Sequence, residues 1–339
     1  MASSERKTLK DIADAAGLSK AATSYALRGL RGSVATQARV RAIAEDLGYS
    51  VDPIARALAN GRSGNVAIVG SLRDIWRQGL TVMLSEALRG HELSSLIADV
   101  DGSPQREEEV LRSLVAQRVD GAIVLPVDPS AGYWADVPSS MRVVSIGDAL
   151  TARSESGRVL FDNEYGVRTA LQHLAGLGHR SIGLLAPTLP TTPGRPAELL
   201  AQSLGDAMGL TVAVSSSPSA VSGAAVAAER LLAGNSRPTA LFCLGDSIAF
   251  GAYGAARNLG LKVPDDLSIL GFDDSELAAL VNPELTTFGW DEQAIVDAAV
   301  SALTAPESAG AGNGTVMFRP DFIARGSTAP AKASHGPTR

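Results

Sequence analysis

A single cysteine, Cys243, stands in 339 residues, so no internal disulfide framework is available and a stapled secreted scaffold is excluded. It lies in the apolar run TALFCLG and reads as a buried strand thiol. Histidines number four and none has metal-ligand spacing, so neither a metal centre nor a cofactor is expected. No GxGxxG or phosphate-binding P-loop occurs. Aromatic residues make up only 4%. Nowhere do about 18 apolar residues run together, which excludes a membrane-spanning helix of the usual length. The first residues, MASSERKTLKDIADAAG, are charged and lack the apolar centre of a secretory signal, so a cytoplasmic protein is expected.

What is present is a globular composition with uneven charge. Hydrophobic residues reach 45% and charged residues 19%, and the length allows two or three domains. Residues 1–64 carry 10 Lys/Arg against 6 Asp/Glu, while the other 275 carry 20 against 30. A basic head on an acidic body points to a polyanion met by the head alone.

The head has helix punctuation. Thr8 caps a first helix with Leu9, Ile12, Ala13 and Ala16 on one side, and Gly17 stops it. Ser19 caps a second helix, Lys20 to Arg28, and a third follows in TQARVRAIAEDLGY. Two helices joined by a tight glycine-bearing turn form a helix-turn-helix. The start of the second helix, Ser19, Lys20, Ala21, Ala22, Thr23, Ser24 and Tyr25, is small and polar, which suits close approach to base edges in a major groove. Arg28, with Arg31, is a candidate phosphate contact, and the same DNA-facing surface takes in Thr8 and Lys10. Next comes PIARALANGRSG, a proline-started helix too short to be stable alone in water.

From Asn65 onward, short apolar runs alternate with amphipathic stretches. VAIVG, SSLIADV, DGAIVLPV and RVVSIG form one series; RVLFDN, RSIGLLAP, TVAVSSS, TALFCLG and DLSILGFDD form another. Continuous apolar strands with crossover helices predict parallel sheets covered on both faces, here in two lobes. The cleft beyond the strands' carboxyl ends is then the natural ligand site.

These stretches, TLKDIADAAGLS, RVRAIAEDLGY, PIARALANGRS, HLAGLGHRSIGLLA and the long run from RPTALFCLGDSIAFG to NPELTTF, make the chain resemble the LacI/GalR family of transcription regulators. The resemblance implies an α/β fold with an N-terminal three-helix helix-turn-helix head and a two-lobed, periplasmic-binding-protein-like core of parallel sheets. It also implies a homodimeric regulator, most often a repressor, on a pseudo-palindromic double-stranded DNA operator. Ala55, Arg56 and Leu58 then belong to a hinge helix, with Leu58 wedged into the minor groove. A small-molecule effector, a sugar or related metabolite, is implied in the cleft at Arg195, Asp246 and Asp273, with Tyr165, Trp76 and Trp290 as secondary candidates. One departure is plain: Gly245 replaces the family's usual asparagine and removes a side-chain amide from the cleft.

The expected division is a head over 1–50, a hinge over 51–64, a core over 65–328 and a disordered tail over 329–339. Within the core, one lobe takes 65–157 and 290–318, the other 158–289 and 319–328. Rival readings are a solute-binding protein of the same core, a regulator that senses nothing, and an enzyme built around GDSIAFG. The last is set aside because the final glycine of a nucleophile elbow is Ala249 here.

Overall fold

The computed structural model describes residues 7–49, 62–188, 196–234, 237–306 and 314–332. The chain forms two compact units, Met1–Ser63 and Gly64–Arg339.

The first unit holds α1 (Leu9–Ala16), α2 (Lys20–Leu27) and α3 (Val34–Asp46). Apolar spacing on each helix closes a small core of Ile12, Ala16, Ala26, Val40 and Ala44, with Leu18 and Leu47 packed against it. Gly17, at φ 65°, makes the left-handed turn that lets the Leu18 N–H donate back to the Ala13 carbonyl at 3.0 Å. Thr23 departs from expectation: it is fully buried, and its hydroxyl donates to the Ser19 carbonyl at 3.0 Å. Lying one turn before Ala26 and Leu27, it falls on the inward stripe. The hinge stretch, with Ala55, Arg56 and Leu58, lies outside the described residues.

The second unit contains two lobes. In the first, β1 (Asn65–Gly70), β2 (Ser94–Asp99), β3 (Gly121–Val124), β4 (Arg142–Gly147), β5 (Gly157–Phe161) and β11 (Gly314–Phe318) form one parallel sheet, ordered β11-β5-β4-β3-β1-β2. Alternation along β1 shows why both faces need cover. Val66 and Ile68 pack with Leu80 and Leu84 of α4 (Ile75–Gly90) and Ile295 and Val300 of α10 (Glu292–Thr304). Ala67 and Val69 pack on the other face with Leu111 and Leu114 of α5 (Pro104–Ala116) and with Trp134.

The second lobe's sheet, β7 (Thr211–Ser217), β6 (Ser181–Pro187), β8 (Ala240–Cys243) and β9 (Ser268–Leu270), is parallel too. Helices α6 (Asn163–Gly176) and α7 (Pro196–Ala207) lie on the side of Leu184 and Phe242, and α8 (Val221–Leu232) and α9 (Asp246–Asn258) on the side of Leu185 and Cys243. An antiparallel pair, β10 (Thr287–Gly289) with β12 (Asp321–Ile323), continues past β9 through a bridge from Asp273 to Gly289.

Two boundaries differ from the sequence reading. Strand β5 belongs to the first lobe, paired to β4 and β11, so the first crossing comes after Phe161 and not at Gly157. Its apolar run GRVLF is the same in either sheet, and only pairing decides the lobe. Residues 329–332 are packed and not loose: the Ala329 carbonyl meets His179 Nε2 at 3.1 Å, the Ala331 N–H donates to Leu177 at 2.8 Å, and Lys332 pairs with Asp266. Residues 333–339 lie outside the described residues.

Helices α8 and α9 pack backbone to backbone at Gly251. A Cβ there would stand 2.5 Å from Ala224 Cβ and 2.7 Å from the Val221 carbonyl oxygen. Gly251→Ala is expected to cost about 1–3 kcal/mol in urea unfolding, because neither neighbour can yield. Gly254→Ala, where the nearest atom is 3.7 Å away, should be neutral or stabilising by up to about 1 kcal/mol through helix propensity.

Candidate functional sites: the head surface and the cavity between the lobes

The Ser19 hydroxyl accepts the Ala22 N–H at 3.2 Å and fixes where α2 begins. Lys20, Ala21 and Tyr25 are exposed, Ala22 and Ser24 are half-buried, and Thr23 faces inward. Thr8 and Lys10 are exposed at the start of α1. There the Asp11 carboxylate accepts the Thr8 N–H at 2.7 Å and its hydroxyl at 2.9 Å, and these bonds hold Asp11 below the usual carboxylate range. Arg28 is exposed just past α2, and the Arg31 guanidinium lies 5.2 Å from the centre of the Tyr25 ring. Arg39 binds back on the Ala16 carbonyl at 3.0 Å and braces α1 against α3. The exposed groups of α2 thus offer a cationic, hydrogen-bonding surface on a short capped helix.

In the core, parallel strands force a common direction on their carboxyl ends. Ser71 after β1, Asp101 after β2, Val127 after β3 and Phe161 at the end of β5 line one wall of a cavity of about 570 Å³. Pro187 at the end of β6 and Thr188 after it, Pro218 after β7, Leu244 after β8, and Phe272 and Asp273 after β9 line the other. The backbone passes between the lobes at Asp162, at Trp290 and at Arg319, connecting β5 to α6, β10 to α10 and β11 to β12. Asp162 ties two of these crossings: its N–H donates to the Phe318 carbonyl at 2.8 Å, and its Oδ2 accepts from Arg319 Nε at 3.3 Å. An aromatic ribbon follows, Trp76 to Phe161 at 5.8 Å, Phe161 to Trp290 at 4.4 Å and Trp290 to Phe272 at 5.7 Å between ring centres.

The sequence-derived candidates divide on this geometry. Trp76, Trp290 and Asp273 line the cavity together. Tyr165 is not among its lining residues and sits under the Arg319 guanidinium, 4.6 Å from its ring centre, at the crossing. Asp246 also lies off the cavity: its Oδ1 accepts the Thr287 hydroxyl at 2.7 Å, and its Oδ2 accepts the Ser275 N–H at 2.7 Å and hydroxyl at 3.1 Å. It fastens the start of α9 to the strand end next to Asp273. Arg195 lies outside the described residues. Ser247, the elbow serine, is buried, and its Oγ accepts the Ile75 N–H from the other lobe at 3.3 Å. His173 bonds to Thr328, and His179 to Thr239, Ser268 and Ala329, so neither reaches that serine.

The structure adds cavity residues that sequence reasoning missed. Asp74 caps α4, its Oδ1 accepting the Arg77 N–H at 3.0 Å. Arg77 reaches the Leu125 carbonyl at 3.3 Å, and Arg73 pairs with Asp101. The Val127 wall is held from beneath by buried Glu107, which accepts the Val127 N–H at 2.9 Å and the Tyr133 hydroxyl. A polar residue just after each predicted strand was the available signal.

Residues 8–52 match the bacterial regulatory proteins of the lacI family, and residues 171–328 match a periplasmic binding protein-like domain. The transcriptional regulator MalR of Streptomyces coelicolor is 32% identical over 97% of this chain and 98% of its own. The chain belongs to the LacI family. Another relative within it is the repressor CytR of Escherichia coli, 29% identical over 95% of this chain and 96% of its own. The fold matches the Lac repressor dimer bound to operator and the anti-inducer ONPF with a TM-score of 0.81, at 22% identity over 96% of this chain and all of that one. Every relative named here is a transcriptional regulator, and the LacI-family fold accounts for both units of the chain.

Burial raises the Asp246 carboxyl to about 7, against an ordinary 3.8, and its three donors only partly oppose that. The folded state therefore keeps a proton that the unfolded chain releases, and stability falls as pH rises from about 4 to 7, then levels. Asparagine can accept the Ser275 bonds through its carbonyl oxygen and donate its amide N–H to the Thr287 hydroxyl oxygen, and it does not titrate. Relative to wild type, Asp246→Asn should gain about 1.4 kcal/mol per pH unit between about pH 5 and 7 in denaturant titrations. A pH-independent difference would show that the carboxyl is ionised throughout.

Proposed function

We propose that the chain represses transcription as a homodimer on a pseudo-palindromic operator, and that a small molecule between the lobes shifts its affinity for that operator. The observation carrying the DNA half is the exposed start of α2, set by the Ser19 cap, within a head matched to the lacI family. In this reading Lys20, Ala21, Ala22, Ser24 and Tyr25 face the major groove, while Ser19, Arg28, Arg31, Thr8 and Lys10 meet phosphates. Thr23 supports the helix from within. Hinge residues Ala55, Arg56 and Leu58 order against the minor groove, with Leu58 as the wedge.

The effector half rests on the cavity at the strands' carboxyl ends. Its volume of about 570 Å³ suits a small metabolite. Asp273, Trp76 and Trp290 contact the ligand, and Arg195 closes on it from the segment between β6 and α7. Two-fold pairing is supported by apolar side chains exposed on both lobes, Val82 and Ile97 on one, Leu277 and Leu280 on the other. With DNA as partner, the protein works in the cytoplasm at the nucleoid.

Selection of bound duplexes from a random pool, followed by footprinting, should return a symmetric site with two half-sites. Equal binding to every duplex of matched composition would sink this reading. Leu58→Ala is expected to weaken operator binding by about ten-fold or more while leaving non-specific binding nearly unchanged, measured by titration at fixed salt. Equal losses on both would remove the wedge.

A further inference from the structure

Among the described residues that line the cavity, carboxylates outnumber cations, with Asp74, Asp101, Glu198 and Asp273 against Arg73 and Arg77. Asp74 enters from the first lobe at the start of α4, and Asp273 from the second lobe just after β9. Oδ1 of Asp74 takes the Arg77 N–H, and Oδ1 of Asp273 takes the Trp290 indole N–H at 3.3 Å. Among the described residues, Oδ2 of each has no hydrogen-bond partner. Both carboxyls line this one cavity, and burial first, then the charges of Asp74 and Asp246, hold Asp273 well above the ordinary carboxylate range, with the Trp290 bond and Arg77 opposing. Arg77 supplies one positive charge for the pair and already spends one amino group on the Leu125 carbonyl. Arg73, the other cation among the described lining residues, is paired with Asp101.

The chain holds this pair together at a conformational cost. Asp273 lies at φ 106°, in the left-handed region that side chains disfavour, fixed by its N–H bond to the Phe288 carbonyl at 2.7 Å. Gly245 leaves the space beside it open: a Cβ there would come 3.7 Å from Oδ2. The Ile75 N–H bond to Ser247 keeps the two lobes together next to both carboxyls. Trp76, Phe161, Trp290 and Phe272 wall the same space with ring faces.

A bare metal ion does not fit this arrangement. The cavity of about 570 Å³ is far larger than an ion, and no group of three metal-binding side chains occurs among the described residues. Carboxylates on both walls of one cavity lined by aromatic rings are instead what an organic ammonium requires, through charge-assisted hydrogen bonds and cation–π attraction. Asn163, Thr188, Ser71 and Ser219 on the walls offer hydrogen bonds to hydroxyls.

We propose that the effector is a hydroxylated primary amine of amino-sugar size, whose ammonium bridges Asp74 of one lobe and Asp273 of the other. The inference rests on the cleft being the effector site of a DNA-binding regulator and deepens that reading. The ammonium gives the carboxyls of the two lobes a shared counter-charge, so the ligand favours the closed cleft through a contact a neutral sugar cannot make.

Isothermal titration of the full-length protein tests this with D-glucosamine, D-galactosamine and D-mannosamine, each against its neutral parent hexose and its N-acetylated form. At least one amine should bind about ten-fold or more tightly than its neutral counterparts. Asp74→Asn and Asp273→Asn should each remove that preference. Asparagine keeps the cap on α4 and tolerates the left-handed backbone at 273, so both variants are expected to fold, checked by circular dichroism and cooperative thermal unfolding. Equal or tighter binding of a neutral hexose, no binding by any of the three amines, or an amine preference surviving in both variants would overturn the proposal. A neutral sugar that binds and releases operator would do so while leaving the regulator reading intact. That reading fails only if duplex selection returns no symmetric site.

Discussion

Parallel strands cannot be joined by tight turns, and from that constraint the rest of the core follows. Each strand must be returned by a crossover connection, most of them helical here, so every carboxyl end emerges on one edge of its sheet. Two such sheets, connected by three backbone crossings, present those edges to each other. The cavity between them is thus a product of connectivity before any side chain is chosen. Side chains then decide its character: an aromatic ribbon running from Trp76 to Phe272, and carboxyls entering from both walls.

Buried polar groups mark where the frame is fixed. Glu107, Glu155 and Asp246 each sit under a loop and accept backbone N–H bonds, from Val127, Leu150 and Ser275. An ionisable group is costly to bury, and each of these three has its bonds satisfied by the turn it anchors. The walls around Val127 and Asp273 are therefore set independently of any ligand. The crossings are lighter, with Asp162 and Arg319 forming an exposed pair at 3.3 Å. Rigid walls on light connections suit two lobes that pivot as bodies.

Much of this was legible in the sequence, and the failures have physical reasons. Capping residues, glycine stops and apolar spacing located α1, α2 and the alternating core, since these signals are local. Thr23 was misread because a small polar residue fits a groove and an inward stripe equally well. Only the register of α2, set by Ser19, decides between them. Strand β5 was placed in the wrong lobe because GRVLF contains nothing about which neighbour it pairs with. Asp246 and Asp273 each come just after an apolar strand in sequence, yet one ends as a strut and the other in the cavity. Asp74 drew no attention because a lone aspartate before a helix carries no local sign of a site, and its place opposite a residue 199 positions away appears only in the folded cavity.

The packed residues after Ile323 carry a practical meaning. Ser327, Ala329 and Ala331 bind Ile269, His179, Ser268 and Leu177, all at the amino ends of the second lobe's strands or helix termini beside them. The cavity opens at the opposite ends. A fluorophore or surface tether joined at Ala331, within this packed stretch, would thus ride on the second lobe, and would report that lobe's rotation without intruding on whatever the cleft holds.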